Sequence, residues 1–171
     1  MQIAIPIGML MAAPKITPRK EFMAAAIEKA MRTKTKGDYA FGAVVVKGGK
    51  IVSTGGNHVK RDSDPTRHAE MVAIHRASKI LTTRHLKDCV LYSTHEPCPM
   101  CTSAAIWAKM DGIVFGAKIT DIDAHRKKNG NEEFEWRTIS IPCAVVAEHG
   151  DPKIAVVEGF MRKECMQLFH S

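Results

Sequence analysis

Residues 40–54 have the sequence AFGAVVVKGGKIVST, and this stretch decides the fold class of the chain. The valine-rich segment Ala40–Val46 predicts one strand and Lys50–Thr54 predicts a second, while Gly48-Gly49 between them is typical of a tight hairpin turn. Helix and strand signals alternate after this hairpin. A hairpin followed by repeated helix–strand units predicts an α/β fold, with a mixed central sheet and helices on both faces.

The elements around the hairpin follow from local patterns. Apolar residues at helical spacing predict a helix from Pro18 to about Lys34, with Thr17 as its N-cap. Asp64-Pro65-Thr66 is typical of a helix start, and that helix is expected to end at Leu81. The other predicted elements are helices over 97–110 and 160–169, strands over 89–93, 113–115 and 154–158, a β-rich stretch over 138–147 and an irregular polar stretch over 118–136.

The length of 171 residues and the hydrophobic content of 45% are typical of one compact domain. The longest apolar stretch without a charge is Met1–Pro14, which is shorter than the ~20 residues of a membrane span and lacks the basic start of a signal peptide. We therefore expect an N-terminal arm at residues 1–16, a single domain at residues 17–171, a cytoplasmic location and no membrane partner.

The net charge of +7 permits contact with RNA or with phosphates, and it establishes neither. The basic residues are scattered along the chain. The densest run, Arg126-Lys127-Lys128, is more typical of a solvated loop than of a binding tract. RNA therefore remains open as a partner.

Two motifs place three metal-ligating side chains at predicted helix starts. The first motif is His68-Ala69-Glu70, and the second is PCPMC at residues 97–101, with sulfurs at Cys98 and Cys101. Cysteines three residues apart lie on one face of a helix and can converge on one ion. Sulfur and imidazole ligands favour tetrahedral Zn²⁺, and three protein ligands leave a fourth position open, as in catalytic sites. We predict a zinc ion held by His68, Cys98 and Cys101.

Other interpretations of these cysteines explain less. A redox pair is disfavoured by Pro99-Met100 between the sulfurs, and a zinc ribbon needs a second C-x-x-C, which the sequence lacks. Taken alone, His68 could be a hydrogen-bonded histidine of the core. The odd number of cysteines, five, argues against a disulfide framework. Cys89 and Cys143 lie in apolar segments and are expected to be buried.

Glu70 is predicted to transfer protons rather than to bind the ion. On a helix it lies about 200° around the axis from His68, which disfavours ligation of the same ion by both side chains. A glutamate beside a zinc ion can take a proton from an activated water and return it to the substrate. Taken alone, a glutamate in a first helical turn would only suit the helix dipole.

Together these motifs resemble the zinc nucleobase deaminases, which carry H-x-E followed by P-C-x-x-C with the glutamate as general acid and base. The chain is similar to the cytidine deaminase-like superfamily, and most of all to the branch of guanine deaminases and tRNA adenosine deaminases. The resemblance covers about residues 41–116. The motifs that carry it are Phe41–Val46, Gly56-Asn57, Asp64–Glu70 and Glu96–Cys101.

The resemblance implies a fold and a reaction. The implied fold is a three-layer α/β/α arrangement around a five-stranded mixed sheet. The implied reaction is a zinc-dependent hydrolysis that removes an amino group from a nucleobase or nucleoside as ammonia. Members of the branch commonly form dimers through helices that flank the sheet, so a homodimer is expected here.

The resemblance also implies substrate contacts. Asn57 matches an asparagine that hydrogen-bonds the base, since an amide offers both a donor and an acceptor; otherwise it is a turn residue. Trp107 matches a pocket tryptophan of guanine deaminases, or else anchors its helix in the core. Phe41 either stacks on the base or packs in the core. Ala69, between the two functional residues of its motif, completes the predicted substrate-binding set.

A second proton shuttle is expected in the loop after the fourth strand, where guanine deaminases carry an acidic residue. Glu133 is the candidate, and Glu132, Asp121 and Asp123 are rivals. A solvated acidic loop would explain these residues equally well. His95, directly before Glu96-Pro97, is expected to face solvent or the pocket and receives no role from the sequence.

Free guanine is the first substrate that the sequence favours. The alternative is a tRNA-specific adenosine deaminase that forms inosine, which the positive net charge favours. Deamination of cytosine or of a nucleoside is a further alternative. A hypothesis from another class is an RNA-binding protein that keeps its zinc without catalysis, and the presence of Glu70 speaks against it.

Overall fold

The central sheet is mixed and five-stranded, as the sequence predicts. The computed structural model describes residues 13–130 and 139–169. The strands of the described residues are β1 Gly42–Lys47, β2 Lys50–Gly56, β3 Cys89–His95, β4 Gly112–Ala117 and β5 Ala155–Val157. Their order across the sheet is β2-β1-β3-β4-β5. β1 runs antiparallel to β2 and β3, whereas β3, β4 and β5 are parallel to one another.

Helices cover both faces of this sheet. The helices of the described residues are α1 Lys20–Lys34, α2 Val59–Asp62, α3 Ala69–Ile80, α4 Pro99–Trp107, α5 Ile119–Asn129, α6 Cys143–Glu148, α7 Arg162–Met166 and a 3-10 turn at Gln167–Phe169. Buried residues of α3, α4 and α6 form one core on one face of the sheet, and those of α1, α5 and α7 form a second core on the other face. The three-layer α/β/α prediction is therefore confirmed.

Two glycines let helices approach the sheet closely. A Cβ atom at Gly42 would overlap the carbonyl oxygen of Ala26 in α1, and one at Gly55 would overlap that of Ala69 in α3. Because no side chain intervenes, the backbone of α3 lies directly against β2. This packing fixes the start of α3, which carries the first predicted ligand.

The boundaries of the early helices differ from the sequence prediction. Helix α1 begins at Lys20 with Arg19 as its N-cap, so the assignment of Thr17 as N-cap is wrong. Asp64-Pro65 does not open α3: the Asp64 carboxylate accepts the backbone N–H of Thr66 in a turn at 2.8 Å, and α3 starts at Ala69. A short helix, Val59–Asp62, precedes this turn and has no sequence signal of its own.

Two helices near the C-terminus were not expected. Helix α5 lies within the stretch predicted as irregular. Its sequence gives no helix signal because the helix buries little apolar surface. Its start is fixed by the Asp121 carboxylate, which accepts the backbone N–H of Lys118 at 2.9 Å. Helix α6 lies within the stretch predicted as β-rich. Its valines suggest a strand, but Cys143 and Ala147 are spaced one helical turn apart and are both buried.

The outer parts of the chain are described only in part. Residues 1–12 lie outside the described residues, so the predicted arm at residues 1–16 stays a prediction, although Ile16 packs against the core on the α1 face. Strand β5, α7 and the 3-10 turn confirm the predicted strand at 154–158 and terminal helix at 160–169. Among residues 13–130 and 139–169, no helix has the length and apolar character that a membrane span needs.

Candidate metal centre

Two helix starts bring the predicted ligands together. His68 is the N-cap of α3 and Cys98 is the N-cap of α4, while Cys101 lies in the first turn of α4. Both N-cap residues have extended backbone angles, with ψ of 156° for His68 and 167° for Cys98. The chain therefore turns sharply at each position and directs both side chains into the same space.

The three ligand atoms form a triangle of the size that zinc requires. His68 Nδ1 lies 3.6 Å from Cys98 Sγ and 3.7 Å from Cys101 Sγ, and the two sulfurs are 3.7 Å apart. Tetrahedral zinc with Zn–S of about 2.3 Å and Zn–N of about 2.0 Å requires S···S of ~3.8 Å and S···N of ~3.5 Å. The residues therefore fit a zinc ion with three protein ligands and one open position.

The pKa values of the two cysteine thiols are strongly shifted by their contact with each other. The hydrogen bond with Cys101 and, to a smaller extent, the one with His68 together lower the pKa of Cys98 to about 4, against the effect of burial. The same sulfur–sulfur contact and burial raise the pKa of Cys101 well above its usual value. One thiolate is thus present at neutral pH, and a cation would stabilise the second, since thiolates are the form that binds metal.

Glu70 lies beside the cluster and is not part of it. The mutually close ligand atoms in the described residues belong to His68, Cys98 and Cys101. Glu70 Oε1 accepts the Ser93 hydroxyl at 2.9 Å, and Oε2 lies 3.7 Å from Cys101 Sγ. Burial raises the pKa of Glu70, which suits a carboxyl group that must both accept and release a proton near neutral pH.

Asn57 is held by an aspartate that the sequence analysis missed. The Asp38 carboxylate accepts Asn57 Nδ2–H at 2.8 Å and the backbone N–H groups of Tyr39, Lys60 and Arg61 at 2.8, 3.1 and 3.1 Å. These bonds lower the pKa of Asp38 although burial opposes them. The bond to Asp38 directs the amide nitrogen of Asn57 and leaves its oxygen available to a ligand. No local pattern signals a contact between residues 19 positions apart.

Phe41 connects the Asn57 loop to the end of β3. Its carbonyl oxygen accepts the backbone N–H of Asn57 at 3.1 Å. Its ring meets the His95 ring edge-on with the centroids 4.3 Å apart, and the centroid of the Phe169 ring lies 5.0 Å from that of His95. Two of the sequence-predicted contacts, Asn57 and Phe41, are therefore joined to each other and, through His95 and Ser93, to Glu70.

The other two predicted substrate contacts are placed differently. Ala69 is fully buried as the first residue of α3, with its carbonyl against Gly55. Trp107 is 78% exposed at the end of α4. It lies six positions after Cys101, which is about 9 Å along the helix axis. The suggestion that Trp107 anchors its helix in the core is therefore wrong, and its contact with the substrate stays a prediction.

Only two of the four candidates for the second proton shuttle lie within the described residues. Glu132 and Glu133 lie outside the described residues. Asp121 is engaged in structural bonds, because its carboxylate accepts the Lys118 N–H and two guanidinium bonds from Arg162. Asp123 Oδ1 lies 3.4 Å from Arg126 Nη2, and any catalytic role for it stays a prediction.

Glu96 anchors the surroundings of the cluster. Its carboxylate accepts the backbone N–H of Cys143 and of Ile119, each at 2.9 Å, and so caps the starts of α6 and α5. The segment between β3 and α4 is thereby tied to both helices. The glutamate of the Glu96-Pro97-Cys98 motif therefore has a structural role that the sequence analysis did not assign.

Comparison with known proteins agrees with this geometry. Residues 16–117 match the family model described as the cytidine and deoxycytidylate deaminase zinc-binding region. The chain is 41% identical over 118 residues to a guanine deaminase from Bacillus subtilis, covering 66% of this chain and 76% of that protein. It is 40% identical over 99 residues to a tRNA-specific adenosine deaminase from Aquifex aeolicus, covering 58% of this chain and 66% of that protein.

A solved structure extends the likeness to the whole fold. The crystallised guanine deaminase from Nitrosomonas europaea superposes with a TM-score of 0.73 at 25% identity. The match covers 92% of this chain and 86% of the other. The similarity therefore includes the helices and the strand that follow the zinc-binding region.

Proposed function

The chain belongs to the family of the cytidine and deoxycytidylate deaminase zinc-binding region, whose members are zinc-dependent hydrolases, and we propose that it deaminates a free nucleobase, with guanine as the first candidate. The enclosure of the site carries this proposal. Asn57, Glu70 and His95 are 2%, 6% and 4% exposed, and the rings of Phe41 and Phe169 cover His95. Buried polar groups with aromatic rings beside them favour a small planar ligand.

The chemistry is divided between the ion and the chain. When bound, zinc supplies a Lewis acid that lowers the pKa of a water to about 7. Hydrolysis replaces the exocyclic amino group of guanine by an oxygen atom from water and releases ammonia. In this proposal Glu70 takes a proton from the water and delivers it to the leaving nitrogen, while the Asn57 oxygen accepts a hydrogen bond from the base.

A release assay tests the substrate. Zinc-loaded protein is incubated with guanine, adenine, cytosine and their nucleosides, and ammonia is measured. We expect the highest kcat/KM for guanine. A higher value for cytosine or for a nucleoside would replace guanine as the substrate, and no release from any of them would contradict the proposal.

A second candidate function is tRNA-specific adenosine deamination. The net charge of +7 and the similarity to a tRNA-specific adenosine deaminase favour it. Phosphate contacts make the affinity for RNA fall steeply as salt rises. Formation of inosine in tRNA, together with binding that weakens with salt, would favour this function over guanine deamination. Binding that does not depend on salt would count against it.

We also propose that the chain forms a homodimer through the face around Trp107. Trp107, Ile141 and Val145 are 78%, 45% and 41% exposed and line one surface depression. Exposed apolar patches of this kind mark interaction sites. A second copy of the chain would bury these side chains.

Substitution of Trp107 tests this face. Trp107→Glu is expected to convert a dimer of twice the chain mass into a monomer, because a carboxylate would be buried in an apolar contact. Light scattering after size exclusion gives the mass. Ile51→Glu is the matched control, since Ile51 is an exposed apolar residue (42%) on β2. A monomeric wild-type protein, or a dimeric Trp107→Glu variant, would contradict the proposal.

A further inference from the structure

His95 is connected to the proposed substrate site through Phe41 and Ser93, although the sequence gives it no role. His95 ends β3 two residues after Ser93, about 6.6 Å along the strand, and its ring contacts Phe169 as well as Phe41. Ser93 donates to Glu70, and its hydroxyl oxygen lies 3.4 Å from the His95 backbone nitrogen. The ring of His95 also contacts Phe41, whose carbonyl oxygen binds the backbone of Asn57.

The hydrogen bonds around His95 define its tautomer. Thr94 Oγ1 accepts the backbone N–H of Gly42 at 3.2 Å and lies 2.8 Å from His95 Nδ1. The Thr94 hydroxyl is buried, and His95 Nδ1 is the acceptor within its reach in the described part of the chain. The hydroxyl therefore donates to Nδ1, and the proton of the neutral ring is on Nε2.

This leaves a buried donor without a partner. His95 is 4% exposed, and its Nε2 has no hydrogen-bond partner within residues 13–130 and 139–169. Burial lowers the pKa of His95 to about 3, so the ring is neutral at pH 7. An unpaired buried donor is costly, and such groups in native proteins call for an explanation. A ligand with an acceptor atom at this point would satisfy it.

We propose that His95 is a specificity-determining residue, whose Nε2–H donates a hydrogen bond to the acceptor edge of the purine formed by N7 and O6. This inference rests on guanine as the substrate. Guanine presents two acceptors, N7 and O6, on this edge, whereas adenine presents N7 and an amino donor. In this proposal guanine binds with its C2 amino group at Glu70, so that the N7 and O6 edge, on the far side of the ring system, is the edge that meets His95.

Binding measurements test the contact without turnover. In the zinc-loaded Glu70→Gln background, the dissociation constants of guanine, 7-deazaguanine and 2-aminopurine are measured with His95, His95→Leu and His95→Gln. 7-Deazaguanine lacks N7 and 2-aminopurine lacks O6. In the Glu70→Gln protein that keeps His95, the analogue that lacks the contacted atom should bind about tenfold more weakly than guanine. His95→Leu should remove this difference, and His95→Gln, which keeps a donor near the position of Nε2, should restore it in part.

A spectroscopic measurement on the protein that keeps His95 tests the contact without relying on the folding of the His95 variants. The ¹⁵N shift of His95 Nε2 in the Glu70→Gln protein should report a protonated nitrogen and should move when guanine is added. It should move less with the analogue that lacks the contacted atom. Zinc content and the far-ultraviolet spectrum verify that each variant remains folded.

The results separate this inference from the proposed function. If wild-type protein releases ammonia from guanine, but His95→Leu weakens guanine and both analogues equally and the Nε2 shift does not move, His95 is only a packing residue. That outcome overturns this inference and leaves the proposed function intact. If guanine is neither bound nor deaminated, both are overturned.

Discussion

Glu70→Gln is expected to abolish turnover and to leave zinc content and fold unchanged. Glutamine has nearly the shape of glutamate, and its amide oxygen can still accept the Ser93 hydroxyl, so the buried site stays packed. It cannot take a proton at neutral pH. General acid–base catalysis contributes about 10²- to 10⁴-fold, and we expect kcat for ammonia release to fall by at least about 10³-fold.

The control for this variant is Glu28→Gln, which changes an exposed glutamate of α1 that pairs with Arg32. It should keep wild-type kcat. Both proteins should bind one zinc ion per chain and melt at similar temperatures. Turnover of Glu70→Gln close to that of the wild type, with zinc retained, would remove Glu70 from the mechanism.

Cys98→Ser and Cys101→Ser are each expected to lose zinc and, with it, activity. Each substitution exchanges a thiolate for a hydroxyl that stays protonated at neutral pH, and two ligands remain. Changes in groups that only support metal ligands weaken binding about 10- to 100-fold, so loss of a ligand should cost more than 100-fold. Elemental analysis after dialysis should find close to no zinc in either variant.

Cys165→Ser provides the matched control. Cys165 is also a buried cysteine, but it packs against Gly116 on the opposite face of the sheet from α3 and α4. It should keep its zinc. Full zinc occupancy in Cys98→Ser or Cys101→Ser, or loss of zinc in Cys165→Ser, would contradict the assignment of the ligands.

The centre was predictable because its signals are local. His68, Cys98 and Cys101 follow a spacing that zinc ligands share, and each of the two helices begins where a ligand lies. The hairpin and the parallel strands were also visible, since buried parallel strands are short apolar runs bounded by turn residues. In these segments local preference and tertiary packing favour the same structure.

The rest depends on contacts between distant residues. Asp38 holds Asn57, and Glu96 caps α5 and α6 from positions 23 and 47 residues away, so no window of sequence shows these bonds. Helix α5 was not predicted because its sequence has no apolar stripe: Ile122 is the apolar residue that it buries in the core. The exposure of Trp107 was not predictable, because a large aromatic residue near a motif fits a pocket wall, a core and an exposed patch equally well.

X-ray absorption at the zinc edge of the metal-loaded protein tests the central claim most directly. We expect two sulfurs at about 2.3 Å and two lighter atoms at about 2.0 Å, from His68 and from the open position. Cys98→Ser, if it is loaded at high zinc, should show one sulfur. A shell of three or four sulfurs, or one with none, would contradict a centre formed by one imidazole and two thiolates.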